Sequence, residues 1–341
     1  MAETVISDAP PPETEQPAER PVGFWIQLGR LFVRQREASI LIVTILLLAY
    51  FWISSSNFIT GSNVRTIFEY FSETAIIAVG EVFLLICGEI DLSVGQVFAL
   101  APFVMYFANQ AGVPMWLSII IALLVSLVVG LLNGVITVWF RIPSLITTLG
   151  TLFLINGITL TISNSFPVIP PHLGQLNNIM GAAPYSEIIW AVAIALVFQI
   201  VLSFTRWGMH TFATGGNSLG ASEAGVNVNR IKIGNFMLAS VLGGFAGILS
   251  GFRIDSIDPL AGGTTIMFNA VAGAVIGGTA LIGGIGTVVG AFLGVLALSI
   301  LQDGFTLLGV NATTYDIVLG AAILVAMIVN QGLRAVREAR R

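Results

Sequence analysis

Long apolar stretches, broken by short polar or glycine-rich segments, fill the chain from about residue 38 onward. No acidic or basic residue interrupts residues 92–140, 142–186 or 259–302. Each interval is long enough to hold a stretch of roughly 20 apolar residues, the length that a membrane-spanning helix needs, and the first and third intervals hold two. The pattern predicts an all-α fold, a polytopic membrane helix bundle of about ten transmembrane helices with glycine-broken segments. We expect the spans at 38–54, 66–87, 92–109, 115–140, 144–162, 188–205, 233–252, 267–282, 285–301 and 316–331.

The composition excludes a soluble globular protein. Of the 341 residues, 56% are hydrophobic and only 9% are charged, whereas a soluble domain carries about 25% charged residues. Membrane lipid is therefore an expected partner, and the net charge of −4 gives no reason to expect a nucleic acid. The single cysteine, Cys87, excludes an internal disulfide.

The two ends of the chain differ from the apolar body. Residues 1–22 are polar and rich in proline and carboxylates, which predicts a disordered tail. Residues 23–37 mix aromatic side chains with arginines, a composition typical of an interfacial segment. We expect the transmembrane domain to occupy residues 38–332 and a basic tail to follow at residues 333–341.

The basic residues indicate how the bundle is oriented. With ten spans, all of the 14 lysines and arginines except Arg65 and Arg253 fall in segments on one side of the membrane. Basic residues concentrate in cytoplasmic loops. The distribution predicts that both termini lie in the cytoplasm of a multi-pass protein.

One polar stretch, "GEIDLSVGQ" (Gly88–Gln96), interrupts two apolar runs. Asp91 can cap the helix that follows by accepting a backbone N–H, and glycine permits a tight turn. A break inside a membrane domain is tolerated only where it is buried in protein or lines a cavity. The stretch therefore predicts part of a translocation path, and the alternative is an ordinary short inner loop with a capping aspartate.

Other polar residues inside the spans are further candidates for the path or its gate. An ionised carboxylate at the centre of a bilayer costs at least about 2.5 kcal/mol, so such groups face the protein interior or water. The alternative is that the amides and hydroxyls hydrogen-bond between helices, and that Glu69 and Glu73 lie at the headgroup level near Arg65. The candidates for the path are Glu81, Glu89, Asp91, Ser93, Asn133, Asn156 and Asn269, with Thr147 and Thr148 as further polar groups.

A second glycine-rich region runs from residue 262 to residue 294. Gly286, Gly290 and Gly294 recur at intervals of four, which places them on one helix face for close backbone packing. Glycine-interrupted segments in both halves of a transporter point to the translocation path. The chain contains no phosphate-binding G-x-x-x-x-G-K-[ST] loop, so we expect no catalytic residue, cofactor or metal site in it.

The longest predicted cytoplasmic loop spans residues 206–232. Asn217 or Ser218 can cap a short helix that runs to about Ala224 and is ended by Gly225. A short helix exposed to the cytoplasm suits docking in a groove of a partner protein. The alternative is a linker that merely connects two spans.

Four stretches follow one another along the chain: "GEIDLSVG", "IPSLITTLGTLFLINGITL", "TGGNSLGASEAGVNVNRIKI" and "GGTALIGGIGTVVGAFLGVLALSILQDGFTLLGV". In this order they resemble the permease subunits of bacterial ABC importers for ribose and related monosaccharides. The resemblance covers residues 40–332. The chain departs from the family at Glu89, where a second glycine is usual, and at Glu223, an acid that comes about one helical turn late.

The resemblance implies a protein of the bacterial inner membrane in which two permease chains pair, as a homodimer or a heterodimer. ATPase subunits would dock on the loop at 206–232, with ATP and magnesium bound on those subunits, and a periplasmic binding protein would deliver the solute. The residues expected to couple the chain to the ATPase are Gly215, Gly216, Asn217, Glu223 and Gly225.

The sequence thus favours a permease subunit of an ATP-driven importer for a small neutral sugar or polyol. The first alternative is a proton-coupled secondary transporter with Glu73, Glu81 or Asp91 as the proton carrier. The second is a scaffold or channel component without active transport, against which the broken helices count.

Overall fold

A computed structural model describes residues 36–171 and 174–338 of the chain. These residues form an almost entirely helical bundle, which confirms the predicted fold class. A helical turn at Gln175–Asn177 that continues into a π-helical turn at Asn178–Ala182 lies between the fifth and sixth helices. The helices are α1 (Arg36–Ser54), α2 (Gly61–Ile86), α3 (Val94–Gln110), α4 (Met115–Trp139), α5 (Ser144–Ile162), α6 (Ser186–Phe204), α7 (Arg206–Gly216), α8 (Ser218–Glu223), α9 (Val228–Ile254), α10 (Gly263–Ile276), α11 (Val288–Leu307) and α12 (Ala312–Glu338).

Each predicted span overlaps one helix of the described residues. Five of these helices, α4, α5, α6, α9 and α11, are long and apolar enough to cross a membrane by length and composition alone, and shorter apolar stretches lie in α1, α10 and α12. The predicted tail at 1–22, most of the segment at 23–37 and residues 339–341 lie outside the described residues.

The eighth predicted span, 267–282, was wrong at its C-terminal end. The helix ends at Ile276, and residues 277–287 form an irregular loop. Gly278, Gly283 and Gly284 have φ angles of 97°, 91° and 76° in this loop. Side chains with a Cβ atom rarely adopt this left-handed region, so these glycines end the helix. Gly286 lies in the same loop, before α11 begins at Val288. The predicted helix face of spaced glycines therefore holds for Gly290 and Gly294 and was wrong for Gly286.

Helix α9 is the centre of the bundle and packs against α2, α3 and α4. Its glycines remove the side chains that would keep these helices apart. A Cβ atom at Gly243 would overlap Val94 of α3, and one at Gly247 would overlap the carbonyl oxygen of Phe98. Since helices in a membrane associate through such close packing rather than through the hydrophobic effect, these contacts fix where α3 lies against α9.

Two of the helices begin inside the bundle rather than at its ends. After α2 ends, Gly88 turns the chain with a φ of 75°, and residues 87–93 lead back to Val94, beside the middle of α9. After α9 ends, residues 255–262 lead the chain back along the bundle to α3. Helix α10 then begins where Gly263 touches Gly95 of α3. The N-termini of α3 and α10 therefore meet in the interior.

From this meeting point the two helices run to opposite ends of the bundle. Pro102 of α3 reaches Gly251 near the end of α9, whereas Gly277, just after α10, packs on Gly290 near the start of α11. We call the end that contains the end of α9 the Arg253 end, and the opposite end, where α9 begins, the Lys232 end. At the Arg253 end the loops after α5 and α9 are joined by paired backbone hydrogen bonds of 2.9 and 2.8 Å between Val168 and Ile257.

The outward faces of the helices are apolar. Trp139, Phe153, Ile189 and Phe204 are among the large side chains that are well exposed. A water-soluble protein rarely exposes contiguous apolar surface on this scale, so these faces are suited to contact with lipid.

The contact between α3 and α10 gives a direct test of the packing. We expect Gly95→Ala to lower the free energy of unfolding by about 1–3 kcal/mol or more, because the methyl group at this buried position would overlap the carbonyl oxygen of Gly263 and the backbone would have to shift. Gly150→Ala is the matched control, since a Cβ atom there meets nothing within 4 Å. The midpoint of thermal unfolding in detergent should fall for Gly95→Ala alone, and equal midpoints would contradict the packing.

Candidate translocation site and coupling junction

A chain of hydrogen bonds connects the broken segment after α2 to three helices. Asp91 Oδ1 accepts from the backbone N–H of Ser93 at 2.8 Å and from its hydroxyl at 2.6 Å. The Asn133 side chain of α4 donates to Ser93 Oγ at 2.8 Å, and Thr151 of α5 donates to Asn133 Oδ1 at 2.6 Å. Ser240 of α9 donates to Asp91 Oδ2 at 3.4 Å. Asp91, Ser93 and Asn133 are fully buried, so this network holds the segment in the interior.

The network matches part of the sequence analysis and extends it. The prediction that Asp91 caps α3 was wrong, because Ser93 is the N-cap residue and no side chain caps the helix. Asp91 accepts the N–H of Ser93 instead and so holds the turn before α3. Thr151 and Ser240 were missed. Thr151 lies in the quoted stretch "IPSLITTLGTLF" and could have been found there, but Ser240 is one of many small residues of α9 and carries no sequence signal.

Glu81 is buried beside this network without a partner. Its side chain has no exposed surface, and among the described residues neither of its carboxyl oxygens has a hydrogen-bond partner. Asp91 interacts with Glu81 through its charge and through its backbone N–H, although the contact falls short of the geometry of a hydrogen bond. Burial of an unpaired carboxyl group is expensive, so Glu81 marks a position that packing alone does not explain.

Glu89 forms an ion pair with the only lysine of the chain. Lys232 Nζ, in the first turns of α9, lies 2.5 Å from Glu89 Oε1, and the two side chains are 23% and 11% exposed. The pair joins the broken segment after α2 to α9 at the Lys232 end. The negative charge of Glu89 is therefore matched by a local cation.

Three backbone segments meet at the Lys232 end without side chains between them. A Cβ atom at Gly215, near the end of α7, would overlap the carbonyl oxygen of Ile86. The same oxygen accepts the N–H of Gly284 at 2.8 Å. Gly283 is equally crowded, because a Cβ atom there would lie 2.8 Å from the carbonyl oxygen of Gly215 and 3.1 Å from the nitrogen of Gly88. We call these contacts the glycine junction.

The short helix expected in the long loop is present as α8. Asn217 begins it, with its side-chain oxygen accepting the N–H of Gly220 at 2.9 Å. Gly225 follows it with a φ of 86°. Leu219 is 71% exposed, and Glu223, four residues later and so on the same face, is exposed too. This face is free for a partner within the described structure.

Gly215 and Gly216 have different surroundings although they are adjacent. Gly215 is packed in the glycine junction, whereas Gly216 is exposed and a Cβ atom there meets nothing within 4 Å. Space alone thus permits a side chain at Gly216 but not at Gly215.

The remaining predicted residues of the path lie apart from the Asp91 network. Asn156 is half-buried in α5. Thr148 donates to the carbonyl oxygen of Ser144 in its own helix at 2.8 Å. Asn269 of α10 accepts from the hydroxyl of Tyr315 at 3.4 Å and belongs to a different polar group, described below.

Arg253 gathers carboxylates at its end of the bundle. Its guanidinium Nη2 lies 2.7 Å from Glu73, Nε lies 3.1 Å from Glu187, and Nη1 lies 3.6 Å from Glu69. Glu69 also pairs with Arg65 at 2.7 Å. One alternative predicted from the sequence had both Glu69 and Glu73 near Arg65. Glu69 does contact Arg65. Glu73 is buried against Arg253 instead, a partner distant in sequence.

These features define a membrane permease: a many-pass bundle with two helices that begin in its interior, a buried polar network at that point and an exposed short helix at one end. The model of the family described as the branched-chain amino acid transport system / permease component matches residues 63–327. The chain belongs to this family.

Curated relatives are sugar and signal-molecule import permeases. The xylose/arabinose import permease protein XylH of Sulfolobus acidocaldarius is 38% identical over 87% of this chain and 85% of its own length. The ribose import permease protein RbsC of Escherichia coli K12 is 34% identical over 86% and 93%, and the autoinducer 2 import system permease protein LsrC of Photorhabdus luminescens is 29% identical over 91% and 94%. No solved structure matches the chain. The resemblance seen in the sequence is confirmed, and the chain is a permease subunit rather than an enzyme.

The ion pair at the Lys232 end predicts a charge dependence. Glu89→Lys should lower the free energy of unfolding by about 1–3 kcal/mol, between the values for exposed and fully buried pairs, because two cations would then meet. Glu89→Lys combined with Lys232→Glu should recover at least half of this loss. Arg65→Ala, which removes a more exposed cation, is the control and should cost no more than about 1 kcal/mol. Thermal unfolding in detergent measures these three variants and the wild type, and a double variant no more stable than Glu89→Lys would contradict a direct pair.

Proposed function

We propose that this chain is the transmembrane subunit of an ATP-driven importer for a small neutral sugar or polyol, with pentoses as the first candidates. The observation that carries the proposal is the similarity along most of the chain to permeases named for xylose, arabinose and ribose import. The Asp91 network supports it, because its hydroxyl and amide groups suit a hydroxylated solute and α3 and α10 begin beside it.

ATP hydrolysis belongs to a partner in this proposal. The chain has one lysine, Lys232, which lies in α9 and is paired with Glu89, so no lysine is left for a phosphate-binding loop of the G-x-x-x-x-G-K-[ST] kind. ATP and magnesium bind on separate ATPase subunits. The exposed face of α8 is the surface on which such a subunit docks.

The glycine junction connects this docking surface to the interior. α8 follows α7 directly, and the end of α7 touches the end of α2 and the loop at 277–287 through Gly215. A shift of α8 therefore moves α7 against Ile86, which lies just before the broken segment that carries Glu89 and Asp91. The ATPase can shift the equilibrium between two states of the membrane domain only if it binds the two states with different affinity. In this proposal, the backbone contact is the route by which binding at α8 changes the position of the broken segment.

The remaining arrangement follows from the charges. We place the Lys232 end and both termini in the cytoplasm, since all but two of the basic residues lie on that side of the predicted topology. The Arg253 end then faces a periplasmic solute-binding protein. A second permease chain, identical or related, completes the complex in the inner membrane.

A proton-coupled secondary transporter is the second candidate, and Glu81 is the observation that favours it. A buried carboxyl group without a hydrogen-bond partner, next to Asp91, is what a proton carrier requires. The family membership and the exposed face of α8 favour the ATP-driven importer, because a secondary transporter needs no docking surface for an ATPase.

Reconstitution into liposomes distinguishes these functions. With ATPase subunits and the cognate binding protein, we expect ATP-dependent uptake of at least one of D-xylose, L-arabinose and D-ribose, and no uptake of L-leucine. The purified chain alone should transport none of them under a pH gradient. Uptake by the chain alone would establish the proton-coupled alternative, and ATP-dependent uptake of leucine in place of sugars would overturn the solute class.

The docking surface predicts a separation of transport from folding. Gly216→Trp should reduce ATP-dependent uptake at least tenfold, because the indole would stand on the face beside α8 where the ATPase binds. The amount of inserted chain and its melting temperature should not change, since the position is exposed. Gly216→Ala, which adds only a methyl group in open space, is the control and should transport normally. Normal uptake by Gly216→Trp would refute the coupling role of this surface.

A further inference from the structure

A cavity of about 320 Å³ lies toward the Arg253 end, between α2, α3, α9, α10, α11 and α12. It belongs neither to the Asp91 network nor to the glycine junction. Small-molecule sites have volumes of about 300–1,000 Å³, so this cavity is at the lower limit and suits one small molecule. Its wall includes Glu73, Arg253, Thr265, Asn269, Gln302 and Tyr315.

One side of the cavity is a fixed pair of opposite charges. Glu73 Oε1 accepts from Arg253 Nε at 3.1 Å and from Nη2 at 2.7 Å, and the Glu73 side chain is only 9% exposed. A carboxylate accepts hydrogen bonds and a guanidinium donates them. Side by side, they can bind adjacent hydroxyl groups, each of which donates and accepts.

Another part of the wall carries neutral polar groups. Asn269, which is 9% exposed, accepts from the Tyr315 hydroxyl at the long distance of 3.4 Å. A weak contact of this length leaves the amide N–H groups of Asn269 and the second lone pairs of both residues available for a solute. The ring of Phe98 also contributes to the wall and offers an apolar face to the C–H groups of such a solute.

The charges in the wall of the cavity favour a neutral solute. Among the residues that line it, the charged ones are Glu73 and Arg253, and they form an ion pair at 2.7 Å. The guanidinium of Arg253 also lies against Glu69 and Glu187. Its positive charge is therefore already matched by carboxylates, and it offers no unmatched charge to an anionic solute.

We propose that this cavity is a solute site of the membrane domain that holds one neutral monosaccharide between the Glu73–Arg253 pair and the Asn269–Tyr315 pair. The proposal rests on the function proposed above and adds to it the place where the solute leaves the binding protein. The volume admits a single sugar and not an oligosaccharide. The cavity is closest to the end that the charge distribution assigns to the outside.

Cysteine protection tests the site, because the only native cysteine, Cys87, is buried. Thr265 lines the cavity and is exposed, whereas neighbouring Thr264 is exposed but does not line it. In the complete complex, D-xylose, L-arabinose or D-ribose at millimolar concentration should slow the reaction of Thr265→Cys with a small methanethiosulfonate reagent at least threefold. The same sugar should leave Thr264→Cys unchanged. L-leucine at the same concentration should protect neither.

The outcomes separate this proposal from the proposed function. If the wild-type complex imports a sugar with ATP but that sugar protects neither cysteine, or both equally, the cavity proposal is overturned and the transport function stands. A Thr265→Cys that does not react without sugar also overturns it, since the cavity would be closed. If the wild-type complex imports no sugar, the proposed transport function is overturned, and the cavity proposal that rests on it is overturned as well.

Transport kinetics give an independent measurement of the same site. Asn269→Ala should raise the KM for the imported sugar at least threefold and change the maximal rate less, because it removes contacts to bound solute without touching the ATPase surface. Asn57→Ala, an exposed residue at the same end outside the cavity, should change neither. An unchanged KM in Asn269→Ala, with normal insertion, would overturn the assignment.

Discussion

The structure depends on the hydrogen bonds that Asp91 makes in the interior of the bundle. Non-helical backbone inside a membrane protein is stable only where its polar groups are satisfied by protein or water. Asp91 takes the N–H and hydroxyl of Ser93 and the hydroxyl of Ser240, and Asn133 and Thr151 continue the network into α4 and α5. Without these contacts α3 could not begin beside the middle of α9, and its contact with α10 would have no fixed place.

The positions of the helices could be predicted from hydropathy because every spanning helix must satisfy its own backbone within an apolar stretch. The ends of helices could not, since glycine serves both close helix packing and left-handed turns. Gly290 packs within α11, whereas Gly283 and Gly284 turn the chain, and a count of glycines does not separate them. The candidate site could likewise be predicted only in part. Asp91, Ser93 and Asn133, which the sequence predicts as polar groups inside the bundle, share one hydrogen-bond network, whereas Asn269 lies in another polar group with Tyr315. The Glu73–Arg253 pair joins residues 180 positions apart, a separation that no local pattern reveals.

Glu89 shows how a charge at a turn inside a membrane protein is accommodated. It lies in the turn after α2, and the only lysine of the chain lies within reach of it in α9. The two side chains are 23% and 11% exposed, so the pair avoids part of the desolvation cost of a buried ion pair. The pair joins the broken segment to α9 at the end where α8 is exposed. Glu223 lies on the exposed face of α8 together with Leu219, so this surface carries both an acidic and an apolar group.

The two ends of the bundle are closed by different kinds of contact. At the Lys232 end, backbone lies against backbone in the glycine junction, with the hydrogen bond from Gly284 to Ile86 and the ion pair between Lys232 and Glu89. Parting these segments removes few side-chain contacts, and the cost is of the order of a few kcal/mol, about 1 for the hydrogen bond and about 1–3 for the ion pair. At the Arg253 end a cavity is already present. In the function proposed above, this arrangement would receive solute from outside, and a difference of a few kcal/mol in how the proposed ATPase binds α8 in the two states would be enough to exchange it for a state open to the cytoplasm.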